Sequence, residues 1–359
     1  MAERRPVLLT VSGTIPGDLD QQVAEGRRPC ADHRVLAAAM DADVVDVERA
    51  LEATGRVGRV LRRVLGVGPL LAWYSFRRRR DYDVLLTDGE QVGLPLACLT
   101  RVFGSGGARH VMIVHILSVP KKVVLVKAAR LARQIDRYVV YCTRQAEFVR
   151  DELGVPAAAV VVSTFMVDTE FFARDRAEAT PRRRICSAGL ERRDYPTLMQ
   201  AVEGLDVEVV IAAASPWSKQ PDSSADRPIP SNVEIRRLDL FELRELYASC
   251  AFAVMPLVDV EFQAGITTIL EAMSMELPVV CTRTAGQTDT IVDGRTGIYV
   301  PPGDPVALRA AIERLLGDEQ EVARIGREAR RWVVANADVV RYADAVAAVV
   351  AGVSDRSAG

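Results

Sequence analysis

The sequence predicts an α/β protein of two Rossmann-like, doubly wound domains that face each other across a cleft. Three observations support this prediction. At 359 residues the chain is too long for one ordinary hydrophobic core. Short β-branched runs alternate with longer helical patterns from end to end, which is typical of parallel sheets covered by helices. The alternation is interrupted near the middle by a polar segment that has no apolar periodicity.

That polar segment, ARDRAEATPRRR, sets the predicted domain boundaries. We assign residues 1–175 to an N-terminal Rossmann-like domain, 176–183 to a linker and 184–335 to a C-terminal Rossmann-like domain. Residues 336–359 are expected to form a C-terminal helix that packs back on the N-terminal domain. In sheets of this kind ligands bind beyond the carboxyl ends of the strands.

The individual strands are placed on the β-branched runs. In the first half we predict strands at 6–12, 43–47, 84–87, 111–115, 138–142 and 160–163. In the second half we predict them near 185 and at 207–212, 233–236, 251–255 and 279–282. The proline-rich stretch 215–231 is predicted to be a surface excursion, and 323–350 to be an amphipathic helix with a weak point near Asn336.

Composition and charge argue against several classes of protein. The formal net charge of −2 gives no reason to expect a nucleic-acid partner. The sequence contains no run of about 18 uncharged apolar residues, so we expect no membrane-spanning helix. The N-terminus lacks the apolar core of a signal peptide. The six cysteines are scattered singly, so we interpret them as small hydrophobes in a reducing compartment and expect a cytoplasmic protein.

The strongest functional signal is the stretch 255–304, MPLVDVEFQAGITTILEAMSMELPVVCTRTAGQTDTIVDGRTGIYVPPGD. A buried strand is followed by a loop that ends at Gly265, and a helix begins at Ile266. Glycine lets backbone approach a ligand closely, and the first N–H groups of a helix bind anions. Thr267 and Thr268 add hydroxyl donors in the first turn.

Two further features extend this predicted anion site. Glu271 lies little more than one turn into the helix, where a carboxylate can accept two hydroxyls of a ribose. A second loop, at 284–287, follows the next strand and is expected to reach the same crevice. The order of these elements therefore predicts a nucleotide site.

The D-x-D match at 41–43 lies where a helix gives way to the second strand, and we expect no metal site.

These motifs resemble the C-terminal domain of retaining glycosyltransferases with the GT-B fold, in particular family 4 (glycosyl transferases group 1). LEAMSMELPVV, DGRTG and VPPGD match family patterns, and the resemblance is strong over roughly the last half of the chain. It implies that 184–335 binds a nucleotide-diphosphate sugar as co-substrate, and that 1–175 binds the acceptor. It also implies retention of configuration, no metal and no cofactor. A uridine donor carrying a hexose is the family's default.

The resemblance assigns roles to four residues around the nucleoside and the donor sugar. Glu271 takes the position that holds the nucleotide ribose. Gln263 stands where the family has a glutamate that touches the donor sugar, and a neutral amide can still hydrogen-bond sugar hydroxyls. Arg237 and Leu238 lie where the family's backbone contacts the base.

The diphosphate is assigned in the same way. In SAGLERRDYPTL, Arg192 and Arg193 take the positions of two cations that grip the diphosphate. A guanidinium matches phosphate oxygens and keeps its charge, so the arginines suit this role. His115, at the end of the fourth strand, matches a histidine near the donor sugar, and Gly13 lies in the N-terminal loop that faces the diphosphate.

The implied mechanism concerns the charge that develops on the departing diphosphate. Arg192, Arg193 and the helix terminus near Ile266 would stabilise this charge. His115 would bind the sugar and shape the reacting site; it is not expected to act as a nucleophile.

Each histidine also has a structural interpretation. His115 is alternatively a core histidine bonded to backbone. For His33 the helix start is favoured over a weak role in acceptor binding. His110 is predicted to lie at the surface.

Alternative functions stay open at this point. The acceptor is a small molecule, a glycan or a lipid, and the Arg-, Ala- and Val-rich usage suggests a bacterium. A non-catalytic sugar-nucleotide-binding protein is an alternative, motivated by Gln263. A sugar-nucleotide epimerase or a phosphorylase on the same fold is another, although a phosphorylase needs a pyridoxal-phosphate lysine and lysine is scarce in the second half.

The segment 56–80, RVGRVLRRVLGVGPLLAWYSFRRRR, is both basic and apolar. A helix of this composition can lie on an anionic membrane surface, which would give a peripheral membrane contact. The alternative is an ordinary packed crossover helix that ends in a solvated arginine run. We favour the packed helix, because Gly66, Gly68 and Pro69 interrupt the pattern.

Overall fold

The computed structural model of the protein describes residues 5–178, 183–213 and 229–354, and its contacts divide the chain into two units. The first unit takes in the chain up to Leu19, Ala31–Thr164 and the chain from Val340. The second unit takes in Asp20–Cys30 and Phe165–Val339. The centre of the predicted linker and most of the proline-rich stretch 215–231 lie outside the described residues.

The first unit is built on a six-stranded parallel sheet of order β2-β1-β3-β4-β5-β6. Its strands are β1 (Arg5–Thr10), β2 (Ala42–Val45), β3 (Tyr82–Asp88), β4 (Arg109–Ile113), β5 (Arg137–Val140) and β6 (Val160–Val162). The helices along this part of the chain are α1 (Leu19–Ala24), α2 (Asp32–Met40), α3 (Val47–Leu65), α4 (Val67–Arg78), α5 (Glu90–Phe103), α6 (Pro120–Ala128) and α7 (Thr143–Glu147).

The second unit has its own six-stranded parallel sheet, of order β12-β11-β10-β7-β8-β9. Its strands are β7 (Arg184–Ala188), β8 (Glu208–Ala212), β9 (Val233–Arg236), β10 (Phe252–Met255), β11 (Val279–Thr282) and β12 (Ile298–Val300). The helices that follow β7 are α8 (Tyr195–Val202), α9 (Leu240–Ser249), α10 (Ile266–Ser274), α11 (Pro305–Gly317), α12 (Glu319–Asn336) and α13 (Val339–Ser354).

The prediction of an α/β protein with two doubly wound parallel sheets is confirmed. Every predicted strand is present, although β12 was not predicted because it is only three residues long and follows a turn-rich stretch. The single helix predicted at 323–350 is two helices, α12 and α13, with the break at Ala337 and Asp338. Among the described residues, no helix is both long enough and apolar enough to cross a membrane.

The boundary between the units lies earlier than the predicted linker, between Thr164 and Phe165. The reason is packing: Phe171 and Phe172 are buried in the core of the second unit. Arg330 of α12 donates to the carbonyl oxygens of Thr169 and Phe172, at 2.8 and 3.0 Å. These contacts attach the segment before the linker to the second unit.

A short upstream segment, Asp20–Cys30, also groups with the second unit, which the sequence did not predict. The amide of Cys30 donates to the Asp168 carboxylate at 2.7 Å, and Arg244 donates to the Gly26 carbonyl at 3.3 Å. At the other end of the chain, α13 packs on the first unit, where the Tyr342 and Tyr141 hydroxyls are 3.3 Å apart.

Most long helices begin at a side chain that caps the first turn. Asp46 accepts from the backbone of α3, Asp304 accepts from that of α11, and Asp239 forms a capping box with Glu242 at α9. Such caps contribute about 1 kcal/mol each, because they satisfy N–H groups that have no partner within the helix. Helices α4, α5 and α10 instead begin after a glycine, which supplies no side-chain cap.

Candidate active site

In the second unit the strand order reverses between β7 and β10. The loops that leave the carboxyl ends of these strands diverge, and such a topological switch point is where open α/β sheets bind ligands. The two loops are tied together by backbone hydrogen bonds. Val258 donates to the Arg192 carbonyl and Asp194 donates to the Pro256 carbonyl, each at 3.0 Å. The switch point is therefore a defined, braced structure.

Arg193 lies at the centre of this switch point, with only 7% of its surface exposed. Its Nε donates to the Ala188 carbonyl at 2.8 Å, and Nη1 donates to the Glu191 carbonyl at 2.7 Å. Nη2 lies 3.5 Å from Thr268 Oγ1, on the first turn of α10. A guanidinium has five N–H donors, so two remain to bind an anion once these contacts with described residues are made.

Two glycines make room for this guanidinium. Gly189 and Gly265 both have positive φ, at 91° and 75°. A Cβ on Gly189 would lie 2.5 Å from Arg193 Nη2, and one on Gly265 would lie 3.3 Å from Nη1 and 2.9 Å from Met255 Sδ. Any side chain at these positions would displace the guanidinium, so backbone and cation are fitted to each other.

The first turn of α10 adds a second source of positive potential. The helix begins at Ile266 after the uncapped Gly265, and its first amide groups have no intrahelical partner. Thr267 is exposed, whereas Thr268 is buried and contacts Arg193. Both predicted anion-binding features, the arginine and the helix terminus, thus meet in one place.

Glu271 is buried one turn further along α10, with 6% of its surface exposed. Its Oε2 accepts a hydrogen bond of 3.0 Å from the Tyr247 hydroxyl. Burial raises the pKa of Glu271 to about 7, although the Tyr247 hydrogen bond and the charge of Arg193 act in the opposite direction. Burial also lowers the pKa of Arg193. The carboxyl group is therefore poised between its neutral and charged forms near neutral pH.

Beside this helix lie three buried polar atoms that have no hydrogen-bond partner among the described residues: Gln263 Oε1, Gln287 Oε1 and Thr284 Oγ1. The other ends of the two amides are held, since Gln263 Nε2 donates to Thr290 Oγ1 at 3.1 Å and Gln287 Nε2 donates to the Ala264 carbonyl at 3.2 Å. Buried polar groups normally have partners, so unpaired ones mark a place where a polar ligand can bind. Gln287 and Thr284 belong to the loop predicted to reach this crevice, but their side chains were not predicted as contacts.

The remaining candidates of the second unit lie at its surface. Arg192 is exposed and adopts a left-handed backbone conformation, with φ of 57°. Arg237 is exposed just after β9, and Leu238 is half-buried against the core. The structure thus separates Arg192 from Arg193, which the sequence presented as a pair.

The first unit has its own switch point, between β1 and β3. His115, two residues after β4, has its Nε2 2.8 Å from Asp88 Oδ1 at the end of β3. Its backbone amide donates to Glu90 at 3.0 Å, and its carbonyl accepts from Gln145 at 2.6 Å. Glu90 in turn pairs with Lys122 at 2.5 Å. The loop that carries His115 is therefore held on several sides.

The charges around His115 set its protonation. Burial lowers the pKa of His115, but the hydrogen bond to Asp88 and the charges of Asp88, Glu90 and Asp32 raise it, and the net direction is upward. Burial and the charge of Asp88 raise the pKa of Asp32. Lys122 keeps the pKa of the Glu90 carboxyl low, although burial opposes this. Asp88 and Glu90 were missed as site residues, and their position in TDGEQ directly after a strand was the available signal.

Three other predicted or discounted residues are placed as follows. Gly13 lies half-buried in the loop after β1, and its carbonyl accepts from Val47 at 3.4 Å. His33 is the second residue of α2, half-buried, with its Nδ1 3.8 Å from Asp32. The prediction of a surface position for His110 is wrong: it is 3% exposed, lies 3.0 Å from Thr87 Oγ1, and burial lowers its pKa to about 3.

The D-x-D match has a structural explanation. Asp41 ends α2, and Asp43 accepts from the Tyr82 hydroxyl at 2.7 Å and pairs with Arg5. Within residues 5–178, 183–213 and 229–354, no group of three or more His, Cys, Asp and Glu side chains is arranged to hold a metal ion.

Comparison with known proteins finds a family match within the second unit. Residues 192–318 match the family described as glycosyl transferases group 1. This region begins in the loop that carries Arg193 and extends past α11, so it includes α10 and its surrounding loops.

Two relatives match parts of the chain. A capsular polysaccharide biosynthesis glycosyltransferase of Staphylococcus aureus is 41% identical over 64 residues, which is 18% of this chain and 17% of the relative. The GDP-mannose-dependent α-(1-6)-phosphatidylinositol monomannoside mannosyltransferase of Mycolicibacterium smegmatis is 29% identical over 206 residues, which is 50% of this chain and 53% of the relative. The chain thus spans about half the length of the latter, and much less of the former.

Solved structures match over nearly the whole chain at low identity. HepE from Anabaena, solved with UDP and glucose, has a TM-score of 0.67 and 16% identity, covering 97% of this chain and 99% of that one. Sucrose-phosphate synthase from Thermosynechococcus elongatus has a TM-score of 0.70 and 16% identity, covering 98% of this chain and 100% of that one. The protein has the GT-B fold, which it shares with these solved structures, and its residues 192–318 match the family described as glycosyl transferases group 1.

Proposed function

We propose that the protein is a retaining glycosyltransferase that moves a hexose from a nucleotide-diphosphate sugar, UDP-linked, to an acceptor hydroxyl without a metal ion. One observation carries the proposal: a buried arginine, held between two glycines, lies beside an uncapped helix terminus and a buried glutamate at a topological switch point. The family match supports the reaction class. The UDP in HepE supports the choice of base.

The diphosphate is assigned to Arg193 and the start of α10. The two remaining N–H groups of the guanidinium and the amides at Ile266, Thr267 and Thr268 are donors for phosphate oxygens. These donors are held in place before the ligand arrives, so they need no rearrangement as charge develops. They would stabilise the leaving diphosphate in the transition state more than in the bound donor.

The nucleoside and the donor sugar are assigned to neighbouring side chains. Glu271 would accept ribose hydroxyls with the oxygen that Tyr247 does not occupy. Arg237 and Leu238 would contact the base. The unpaired Gln263 Oε1, with the unpaired oxygens of Gln287 and Thr284 from the loop that Gln287 ties to Ala264, would accept or share hydroxyls of the sugar. Neutral partners of this kind suit an uncharged hexose.

The proposed transfer proceeds on one face of the sugar. The bond between the anomeric carbon and the diphosphate oxygen breaks, a bond from that carbon to the acceptor oxygen forms, and the acceptor proton passes to a phosphate oxygen. The products are the nucleoside diphosphate and a glycoside of unchanged anomeric configuration. His115, raised in pKa by Asp88, would donate to a sugar hydroxyl and take no covalent part.

The acceptor is assigned to the first unit, with His33 as a weak contact, and Gly13 keeps the diphosphate-binding role that the resemblance gives it. We propose a small molecule, a glycan or a lipid as the acceptor, and the cytoplasm as the place of reaction. No nucleic-acid partner is proposed.

Calorimetry with UDP, GDP, ADP and TDP in the presence of EDTA tests the donor site. We expect UDP to bind best, and Glu271→Ala and Arg193→Ala to weaken it while Arg192→Ala has little effect. Equal binding of all four nucleotides, or binding that ignores Glu271 and Arg193, would contradict the proposal. Transfer with the matching sugar nucleotide, followed by NMR of the anomeric proton, tests retention. Binding without transfer or donor hydrolysis would favour a non-catalytic binding protein.

A further inference from the structure

The outer half of α3 combines positive charge with exposed apolar side chains. Gly55 interrupts α3 with a non-helical conformation, φ 56° and ψ −129°, and the chain then continues as helix through residues 56–65, RVGRVLRRVL. We call residues 56–65 the outer segment. It contains four arginines and no acidic residue, in a chain whose net charge is −2.

The outer segment presents apolar side chains to solvent. Val57, Val60 and Val64 are 55%, 61% and 71% exposed, and Leu65 is 61% exposed. Spacings of three and four residues place the valines on one face of the helix. The opposite side is fixed by Gly58, which is buried and where a Cβ would come within 3.1 Å of Leu70 of α4. The segment therefore packs on α4 with its glycine side and leaves its valines uncovered.

The arginines of the outer segment are also uncommitted. Arg56, Arg59, Arg62 and Arg63 are all exposed, and none forms an ion pair or side-chain hydrogen bond with another described residue. The arginines at the end of α4 behave differently: Arg79, for example, lies 3.8 Å over the Phe76 ring and donates to two carbonyls. The basic segment 56–80 thus divides into two parts. The arginines at the end of α4 contact the rest of the unit, whereas those of the outer segment are exposed to solvent.

We infer that the outer segment is a docking face for a bilayer that contains anionic lipid. Its exposed valine stripe suits the acyl boundary, while four unpaired guanidinium groups on the same short helix suit lipid phosphates above that boundary. A nucleic acid would use the arginines but has no place for a valine stripe. A helix that lies flat in the membrane–water interface does not need to be long enough to span the bilayer. Its free energy of binding is the sum of apolar burial and attraction to anionic headgroups. The inference goes beyond the proposed reaction and does not depend on it.

Sedimentation of the full chain with lipid vesicles tests this. We expect binding to vesicles of phosphatidylglycerol and phosphatidylcholine in equal parts, weakening as salt rises, and much weaker binding to phosphatidylcholine alone. The double variant Arg59→Gln, Arg63→Gln should lower the partition coefficient about thirtyfold, since each basic side chain near an anionic surface contributes about fivefold. The variant Val60→Ser, Val64→Ser should lower it at least about tenfold.

Matched controls come from exposed positions of the second unit. Arg327→Gln in α12 and Val306→Ser in α11, where Val306 is 77% exposed, should bind vesicles like the unsubstituted protein. All variants should keep the same thermal midpoint, because the substituted side chains are exposed. Absence of binding to the anionic vesicles, or binding equally reduced by the controls, would overturn the inference. So would a dimer in sedimentation velocity that the outer-segment variants dissolve, because a second copy would then cover the stripe.

Discussion

The two units place polar groups at equivalent points of similar sheets, yet the groups have opposite character. At the switch point of the second unit, Arg193 and Glu271 are 7% and 6% exposed. At that of the first unit, His115 and Asp88 are only half-buried. The switch point of the second unit is dominated by a cation and a helix terminus. The switch point of the first unit is dominated by carboxylates around one imidazole.

This difference separates what the sheet decides from what the loops decide. Strand order fixes where a ligand can bind, because it determines where neighbouring loops diverge. The residues in those loops fix which ligand suits the place. A buried, pre-positioned cation favours a diphosphate and the charge that grows on it. A half-buried histidine surrounded by carboxylates favours hydroxylated molecules over phosphorylated ones.

The largest effect is expected from Arg193→Lys, which keeps a positive charge but removes the planar set of donors. Lysine cannot hold the Ala188 and Glu191 carbonyls and an anion at once, so transfer should slow by roughly 10²–10³-fold. Steady-state kinetics with the donor identified by calorimetry provides the measurement. A rate within a few-fold of that of the unsubstituted protein would show that a positive charge alone suffices. The donor geometry of Arg193 would then not distinguish the two switch points.

The next largest effect concerns Glu271→Gln. Because burial raises the pKa of Glu271 from 4.5 to about 7, the folded state holds a proton that the unfolded state releases. The associated stability is fully present below pH 4.5 and is lost as the pH rises through about 7, a change of about 3 kcal/mol. Glutamine has no such proton. The free energy of unfolding of the Glu271→Gln variant should therefore increase relative to that of the unsubstituted protein as the pH rises from 4.5 to about 7. Denaturant titrations from pH 4.5 to pH 8 measure it, and parallel curves would contradict the raised pKa.

A smaller effect is expected from Asp88→Asn in the first unit. Removing the carboxylate should lower the pKa of His115, since the hydrogen bond and charge of Asp88 both raise it. Glu90, which pairs with Lys122, still accepts from the His115 amide, so the fold should persist. NMR titration of the imidazole gives the pKa directly. An unchanged pKa would mean that Asp88 positions the ring without setting its charge.

The smallest effect is expected from Arg192→Ala. Arg192 is exposed and makes no side-chain contact with another described residue, so nucleotide affinity should change by no more than about twofold. Calorimetry beside Arg193→Lys makes the comparison within one loop. A loss as large as that at Arg193 would show that the exposed arginine folds over the bound diphosphate.

Much of the fold was predictable because it follows local patterns. β-branched runs marked eleven of the twelve strands that the structure describes, and β12, three residues long, was not predicted. Gly265, Ile266, Thr268 and Glu271 were predicted from their order after a strand, and the structure brings them together around one helix terminus. The pairing of Asp88 with His115 was not predicted, because the two residues are 27 positions apart and only the sheet register makes them neighbours.

The sequence by itself determined the class of the fold and the position of the strands, and it predicted an anion site at the start of α10. These depend on period, β-branching and glycine, which act over a few residues. Only the tertiary structure decided which of two adjacent arginines is buried, that His110 lies in the core, and that the basic segment 56–80 divides into a packed helix and an exposed one. Burial depends on contacts between residues far apart in the chain, and neither charge nor hydropathy at one position records them.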